Sequence, residues 1–341
     1  MPSLRRSKTN NQDNKPGIIL TTGDPNGIGP EIILKIFSST SISRKFRIKI
    51  AGDKRVYDSY AGLLGMNEIP ERFFETVKLP KGYSVKAGSI DSLSGRHSGD
   101  CIKHAVKLCM KKNYDAMVTL PISKEAFILG GYNYPGHTEM ITALTRGRQS
   151  LMMMYSNQII VSLVTNHFPI SKVSKAITQE LIIEKFIISN NSLVRDLGIM
   201  NPRIAVLSLN PHNGDGGNIG KEELKVIMPA IEKLRNVGFN VSGPLAADAF
   251  FAGKNYERFD MILAMYHDQG LIPFKMISVD SGVNFTAGLK IVRTSPDHGT
   301  AFDIAGMGIA IIQSTVSAIE TAVMIAANRN RGLGLSSDRF H

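Results

Sequence analysis

The stretch GIILTTGDPNGIGPEIILKIF, residues 17–37, changes character twice within one short segment. Gly17–Thr21 is an apolar run of strand length. Residues 22–29 are crowded with glycine, proline and aspartate. From Pro30 onward, apolar side chains recur at helical spacing. Pro30 suits a first helical turn, where its missing N–H would have had no partner, and Glu31 complements the helix dipole. Strand, glycine-rich loop and helix form the repeating unit of an α/β protein.

The alternation continues along the chain. FRIKIAGD (46–53) reads as a strand ending at glycine. SGDCIKHAVKLCMKKNY (98–114) has helical periodicity, with Ser98 or Asp100 near its cap, and DAMVTLPIS (115–123) is a strand that stops at Pro121. LMMMYSNQIIVSLVTNH (151–167) suggests two adjacent strands turning at Ser156 and Asn157. Residues 171–198 read as a pair of helices and 203–209 as a strand. Residues 220–238 read as a helix bent at Pro229, and 260–266 as another strand. This order predicts α/β layers around a mainly parallel sheet.

Composition limits the function classes. The chain has 341 residues, 43% hydrophobic and 20% charged, enough for a packed core in one large or two ordinary domains. Its net charge of +11 comes from scattered lysines and arginines. No helix-turn-helix, zinc-finger or RNA-recognition signature accompanies them, so no nucleic-acid partner is expected. Cys101 and Cys109 fall on one predicted helix about 12 Å apart, too far for a disulfide. They read as free thiols of a reducing compartment. Residues 1–16 are polar, lack the apolar region of a secretory signal, and read as a disordered basic tail. The apolar stretch 309–327 is broken by Gln313, Ser314 and Glu320. It reads as a buried helix rather than a membrane span, so a soluble, cytoplasmic protein is expected.

Three apolar runs end by presenting a histidine: His167, His212 and His267, spaced 45 and 55 residues apart. In open α/β sheets ligands bind beyond the carboxyl ends of strands. Three imidazoles converging there would hold zinc, cobalt, manganese or nickel, with magnesium or calcium less suited to nitrogen donors. The bland reading is that each histidine only satisfies a turn. Gly23, Gly27 and Gly29 offer a helix N-terminus to an anion, but neither G-x-G-x-x-G nor a Walker A sequence is present. In YPGHTEM (134–140), His137 can bond a substrate anion, or Thr138 can simply cap a helix. Residues 273–310 carry Lys275, Asn284, Arg293, Asp297 and His298 through apolar, glycine-rich sequence. Such groups need partners when drawn into a site, and Lys275 and Arg293 suit a phosphate or carboxylate.

At these residues the chain resembles the 4-hydroxythreonine-4-phosphate dehydrogenases of pyridoxal phosphate biosynthesis. The carrying motifs are TTGDPNGIGPEI, TLPISKEAF, YPGHTEM, TNHFPIS, NPHNGDGGNIGKEE, GPLAADAFF, YHDQGLIPFK and GVNFTAGLKIVRTSPDHGTAFDIAG, running in order from Thr21 to Gly306. The resemblance implies two α/β/α domains flanking a cleft, as in isocitrate and isopropylmalate dehydrogenases, and a homodimer with a shared active site. The domains would be 17–137 plus 284–341 on the cofactor side, and 138–283 for metal and dimerisation. It implies metal ligands at His167, His212 and His267, with Zn, Co, Mn or Mg as the ion. Substrate contacts would be His137, Thr138, Lys275, Asn284 and Arg293. NAD, with NADP as the alternative, would be held by His298, Gly299, Thr300, Ala301 and Asp303. The implied reaction oxidises the C3 hydroxyl of 4-phosphooxy-L-threonine, with decarboxylation to 3-amino-2-oxopropyl phosphate. Asp248 or Asp268 would take the proton or orient a histidine. Close relatives oxidise D-threonate or D-erythronate 4-phosphate, which is the alternative substrate class. Asn166 and Lys290 stand where the family commonly has threonine and proline.

Overall fold

A computed structural model describes residues 15–147 and 150–332. Most of the expected N-terminal tail thus lies outside the described residues. Within them, eleven strands form one sheet. They are β1 (Gly17–Thr21), β2 (Arg47–Gly52), β3 (Phe74–Thr76), β4 (Ala116–Thr119), β5 (Leu151–Tyr155), β6 (Ile160–Leu163), β7 (Ile204–Leu207), β8 (Val241–Leu245), β9 (Met261–Ala264), β10 (Val283–Ala287) and β11 (Val292–Pro296). The spatial order is β3-β2-β1-β4-β11-β10-β5-β6-β9-β7-β8. The first five are mutually parallel, and so are the last four. Between these flanks, β10 is antiparallel to both neighbours and β5 is antiparallel to β6.

The helices explain why the strands carry near-continuous apolar runs: both faces of the sheet are covered. In chain order they are α1 (Gly29–Ser39), α2 (Ile42–Lys45), α3 (Lys54–Leu64), α4 (Ser92–Met110), α5 (Lys124–Leu129), α6 (His137–Leu144), α7 (Ile170–Ala176), α8 (Gln179–Arg195), α9 (Met228–Asn236), α10 (Ala247–Ala252), α11 (His267–Ile277) and α12 (Gln313–Asn330). On one face a single core runs under both flanks, from Ile18 and Leu20 through Phe285 to Ile204 and Val206. On the other face the core is split. Ile19, Met117 and Phe127 belong to one cluster; Val161, Ala205 and Phe274 belong to another. A cavity lies between the two clusters, with Ile122 of one and Met152 of the other on its wall.

Three local expectations change. α4 begins at Ser92, six residues before the expected cap, and Asp91 Oδ1 accepts from the N–H groups of Leu93 and Ser94 at 2.7 and 3.1 Å. Gly95 and Gly99 disguised this turn as a loop. They are close-packing sites: a Cβ on Gly95 would stand 1.8 Å from the Ala126 carbonyl oxygen. The irregularity expected at Pro229 lies in the preceding turn, where Glu223–Ile227 widens into a π-turn and Pro229 begins α9. That widening accommodates the N–H that proline lacks. Gly136, not Thr138, is the N-cap of α6.

Cys101 and Cys109 are free and buried in α4. The expected buried helix is α12, and no helix among the described residues is long and apolar enough to cross a membrane.

Candidate active site

Side-chain alternation builds the site. On β10 and β11, Val283, Phe285 and Val292 enter the continuous core. Their neighbours Asn284, Arg293 and Ser295 face the opposite side and line a cavity of about 820 Å³ with Thr119, Met152, His137, Thr138, His167 and Lys275. All five expected substrate contacts are therefore brought to one cavity.

Arg293 is its deepest charge, only 3% exposed. Nε and Nη2 donate to Thr119 Oγ1 at 3.0 and 2.7 Å, and Nη1 donates to Thr286 Oγ1 at 3.0 Å. These partners are neutral hydroxyls. Glu139 acts on the guanidinium only through space, and burial lowers its pKa to about 10. It still carries its charge at neutral pH. A buried cation without a carboxylate partner is costly unless an anion completes it. Lys275 also faces the cavity, with Nζ 3.2 Å from Asp297 Oδ2. The buried Oδ1 atoms of Asn284 and Asn166 have no protein partner. Asn166 departs from the family pattern inside the site. Lys290 does not: its carbonyl accepts from Arg329 Nη1 at 3.3 Å, and Arg293 is still buried.

His137 Nε2 lies 3.2 Å from the Leu120 carbonyl oxygen. Burial, and then the charge of Arg293, lower its pKa to about 3. It is a neutral ring.

The three histidines follow β6, β9 and β7, which are adjacent and parallel, as expected. The structure brings two of them together. The rings of His167 and His267 have centroids 5.5 Å apart at 38°. Burial lowers the His167 pKa, as do Lys124 and His267. His267 Nδ1 lies 2.8 Å from Asp268 Oδ1, a carboxylate that accepts from it and leaves Nε2 as the nitrogen turned away from that bond. His212 sits exposed in a turn where residues 212–216 all have positive φ, including non-glycine His212, Asn213 and Asp215. Such backbone is strained and recurs at functional sites. Among the described residues no three His, Cys, Asp or Glu side chains of one chain form a metal-holding group. Two imidazoles with free nitrogens fit half of a transition-metal site.

The segment expected to hold the cofactor is partly in the cavity. His298 and Gly299 line it, and His298 Nε2 is buried without a partner. Thr300, Ala301 and Asp303 do not line it. Thr300 instead accepts from Ile28 N at 3.0 Å, and a Cβ on Gly27 would approach that oxygen to 3.1 Å. Glu31 accepts from Gly308 N and Ala310 N at 3.2 and 2.9 Å. The two glycine-rich motifs are thus laced into one platform beside the cavity. Asp248 is exposed on α10 and is not among the cavity's lining residues.

Sequence reasoning missed Lys124, Glu139 and Asn166 as lining residues. Lys124 and Glu139 looked like ordinary first-turn residues of α5 and α6. What could have marked them is their place inside the motifs TLPISKEAF and YPGHTEM.

The family model described as pyridoxal phosphate biosynthetic protein PdxA matches residues 43–322. A 4-hydroxythreonine-4-phosphate dehydrogenase of Bacteroides thetaiotaomicron is 41% identical over 332 residues, covering 94% of this chain and 91% of that protein. The crystal structure of a 4-hydroxythreonine-4-phosphate dehydrogenase from Klebsiella pneumoniae matches with a TM-score of 0.82 and 34% identity, covering 92% of this chain and 98% of that one. A terephthalate 1,2-cis-dihydrodiol dehydrogenase from Burkholderia xenovorans LB400 is more distant, with a TM-score of 0.63 and 26% identity over 91% of this chain and 98% of that one. Matched over nearly its whole described length, the chain belongs to the pyridoxal phosphate biosynthetic protein PdxA family and is an oxidoreductase.

Proposed function

We propose that this chain catalyses the NAD-dependent, divalent-metal-dependent oxidation of 4-phosphooxy-L-threonine at its C3 hydroxyl, with decarboxylation to 3-amino-2-oxopropyl phosphate. The observation that carries this reading is Arg293, a buried guanidinium bonded only to two threonine hydroxyls, in a cavity that also holds His167. A doubly anionic substrate completes that charge. Arg293 and Lys275 bind its anionic groups, and Asn284 and Thr138 fix its orientation.

His167 and His267 hold the metal, which supplies Lewis acidity toward the hydroxyl oxygen when bound. His212 of a second copy is the third ligand in this reading. That division suits a chain in which His167 and His267 already adjoin while no third ligand joins them. Phe168, Ile170, Ile272 and Met276 are exposed apolar residues beside the two histidines or along α11, which suits burial against that second copy. Asp268 is assigned to orienting His267. Asp248 remains a proton acceptor only if the second copy brings it to the cavity.

His298 and Gly299 border the reacting region, and the platform that Thr300, Ala301 and Asp303 continue carries NAD, the hydride acceptor when bound. The two functional units are 17–137 plus 284–341 and 138–283, meeting at β10 and β5.

The test is NADH production by purified protein given 4-phosphooxy-L-threonine and NAD, with and without a chelator. Chelator-sensitive turnover is expected. Turnover of D-threonate 4-phosphate with none of 4-phosphooxy-L-threonine would overturn the substrate assignment.

A further inference from the structure

We infer that His137 and Glu139, on the first turn of α6, form an ammonium pocket and determine specificity for an amino acid phosphate over the corresponding hydroxy acid phosphate. The inference rests on the cavity being the substrate site, as proposed above.

Donor and acceptor roles decide what His137 can bind. A carbonyl oxygen can only accept, so the ring nitrogen facing Leu120 O, Nε2, carries the hydrogen of His137. The ring is neutral, so its Nδ1 is a lone pair. Among the described residues nothing donates to that atom, and it is not one of the buried atoms left unpartnered. His137 lines the cavity, so Nδ1 is open to it. It can receive a hydrogen bond from a ligand. It cannot give one to a phosphate or carboxylate, which reverses the role expected from sequence.

Glu139 supplies the charge. Among the cavity's lining residues, the carboxylates are Glu139 and Asp297, and Asp297 is paired with Lys275. Glu139 forms no ion pair with a described residue. Its field nevertheless reaches both Arg293 and His167. It therefore lines the same cavity as Arg293 and His167, within electrostatic reach of both. In a 2-amino-3-hydroxy-4-phospho acid, the ammonium is one carbon from the C3 hydroxyl and two from the phosphate-bearing carbon. C2 also adjoins the C1 carboxylate, so a hydroxyl oriented by the histidines and a carboxylate on Arg293 leave the ammonium between them, near Glu139. An ammonium offers three donors and a positive charge to a carboxylate and a neutral acceptor. A 2-hydroxyl offers one donor and no charge.

The experiment compares 4-phosphooxy-L-threonine with a 2-hydroxy counterpart, D-threonate 4-phosphate, on wild type, Glu139→Gln and Glu139→Asp. Two readouts are taken: kcat/KM by NADH formation, and the thermal shift given by each compound without NAD. Wild type should prefer the amino compound in both. Glu139→Gln should lower that preference at least tenfold, chiefly by raising KM for the amino compound, and Glu139→Asp should restore part of it. Equal losses on both compounds would overturn the pocket and make Glu139 a general base or a structural residue. An unchanged preference would overturn it as well. A wild type that turns over neither compound defeats the proposed reaction. In that case an amino-selective thermal shift lost in Glu139→Gln still supports the pocket, and its absence overturns it.

Discussion

Arg293 and Thr119 are joined twice, with Nε and Nη2 of the guanidinium meeting one hydroxyl oxygen at 3.0 and 2.7 Å. Thr119 closes β4 and Arg293 lies on β11, so the pair bridges adjacent strands of the sheet. The hydroxyl aims the guanidinium without neutralising it.

Replacing Arg293 by alanine should therefore cost substrate binding and turnover more than fold. Losing one charge-assisted contact costs about 1.5–3 kcal/mol, or roughly 10- to 150-fold in kcat/KM. Thr119→Val should cost less, because the charge stays and only its aim is lost. Steady-state kinetics check both, and an Arg293→Ala enzyme with unchanged constants would show that the guanidinium does not bind substrate.

The histidine pair leads to a test of how the ligands divide between chains. If His167 and His267 come from one chain and His212 from the other, a His212→Ala chain paired with a His267→Ala chain keeps one intact site. Its activity should recover toward half of wild type. A His167→Ala chain paired with a His267→Ala chain damages both sites and should stay inactive. Recovery in the second pairing would show that His167 and His267 serve different sites. Two affinity tags isolate the mixed dimers for assay.

Much of this site was legible in sequence because it lies where apolar runs stop. His167, His212 and His267 were visible as polar residues past strand ends, and β6, β9 and β7 prove to be neighbours. What sequence could not supply was direction and partnership. Whether His137 gives or receives a hydrogen bond depends on Leu120, which is 17 residues away. Glu139 and Lys124 are first-turn helix residues in any one-dimensional reading, and only packing turns them toward the cavity. The strand alternation was clear, but β10 antiparallel to both neighbours follows from long-range pairing that local periodicity does not encode.

Gly95 gives a test of packing. Helices α4 and α5 approach so closely that a Cβ would meet the Ala126 carbonyl oxygen at 1.8 Å and its carbon at 2.1 Å. Backbone cannot swing aside as a side chain can. Gly95→Ala should destabilise the fold by at least the 1–3 kcal/mol typical of overpacking, despite alanine's better helix propensity. Urea denaturation would measure it, and a stabilised variant would show that the two helices separate easily.

Asp24 gives a pH test. Its side chain is fully buried, with Oδ1 accepting from Asn26 N at 2.9 Å and Oδ2 facing Ser94 Oγ at 3.4 Å. No cation is among its bonded partners, and burial, with a smaller push from Asp91, raises its pKa to about 6. The folded state therefore holds this proton more tightly than the unfolded chain does, whose aspartates titrate near 3.9. The stabilising contribution is fully present below about pH 3.9 and is lost as pH rises through about 6. A shift of roughly two units corresponds to about 3 kcal/mol. Asp24→Asn keeps an acceptor for Asn26 N and cannot ionise. Relative to wild type, it should gain about 2 kcal/mol of stability between pH 4.5 and pH 7.5, since part of the effect is already spent at pH 4.5. Urea unfolding of both proteins at the two pH values measures the difference. A wild-type-to-variant gap that is the same at both would mean that Asp24 ionises without penalty in the folded protein.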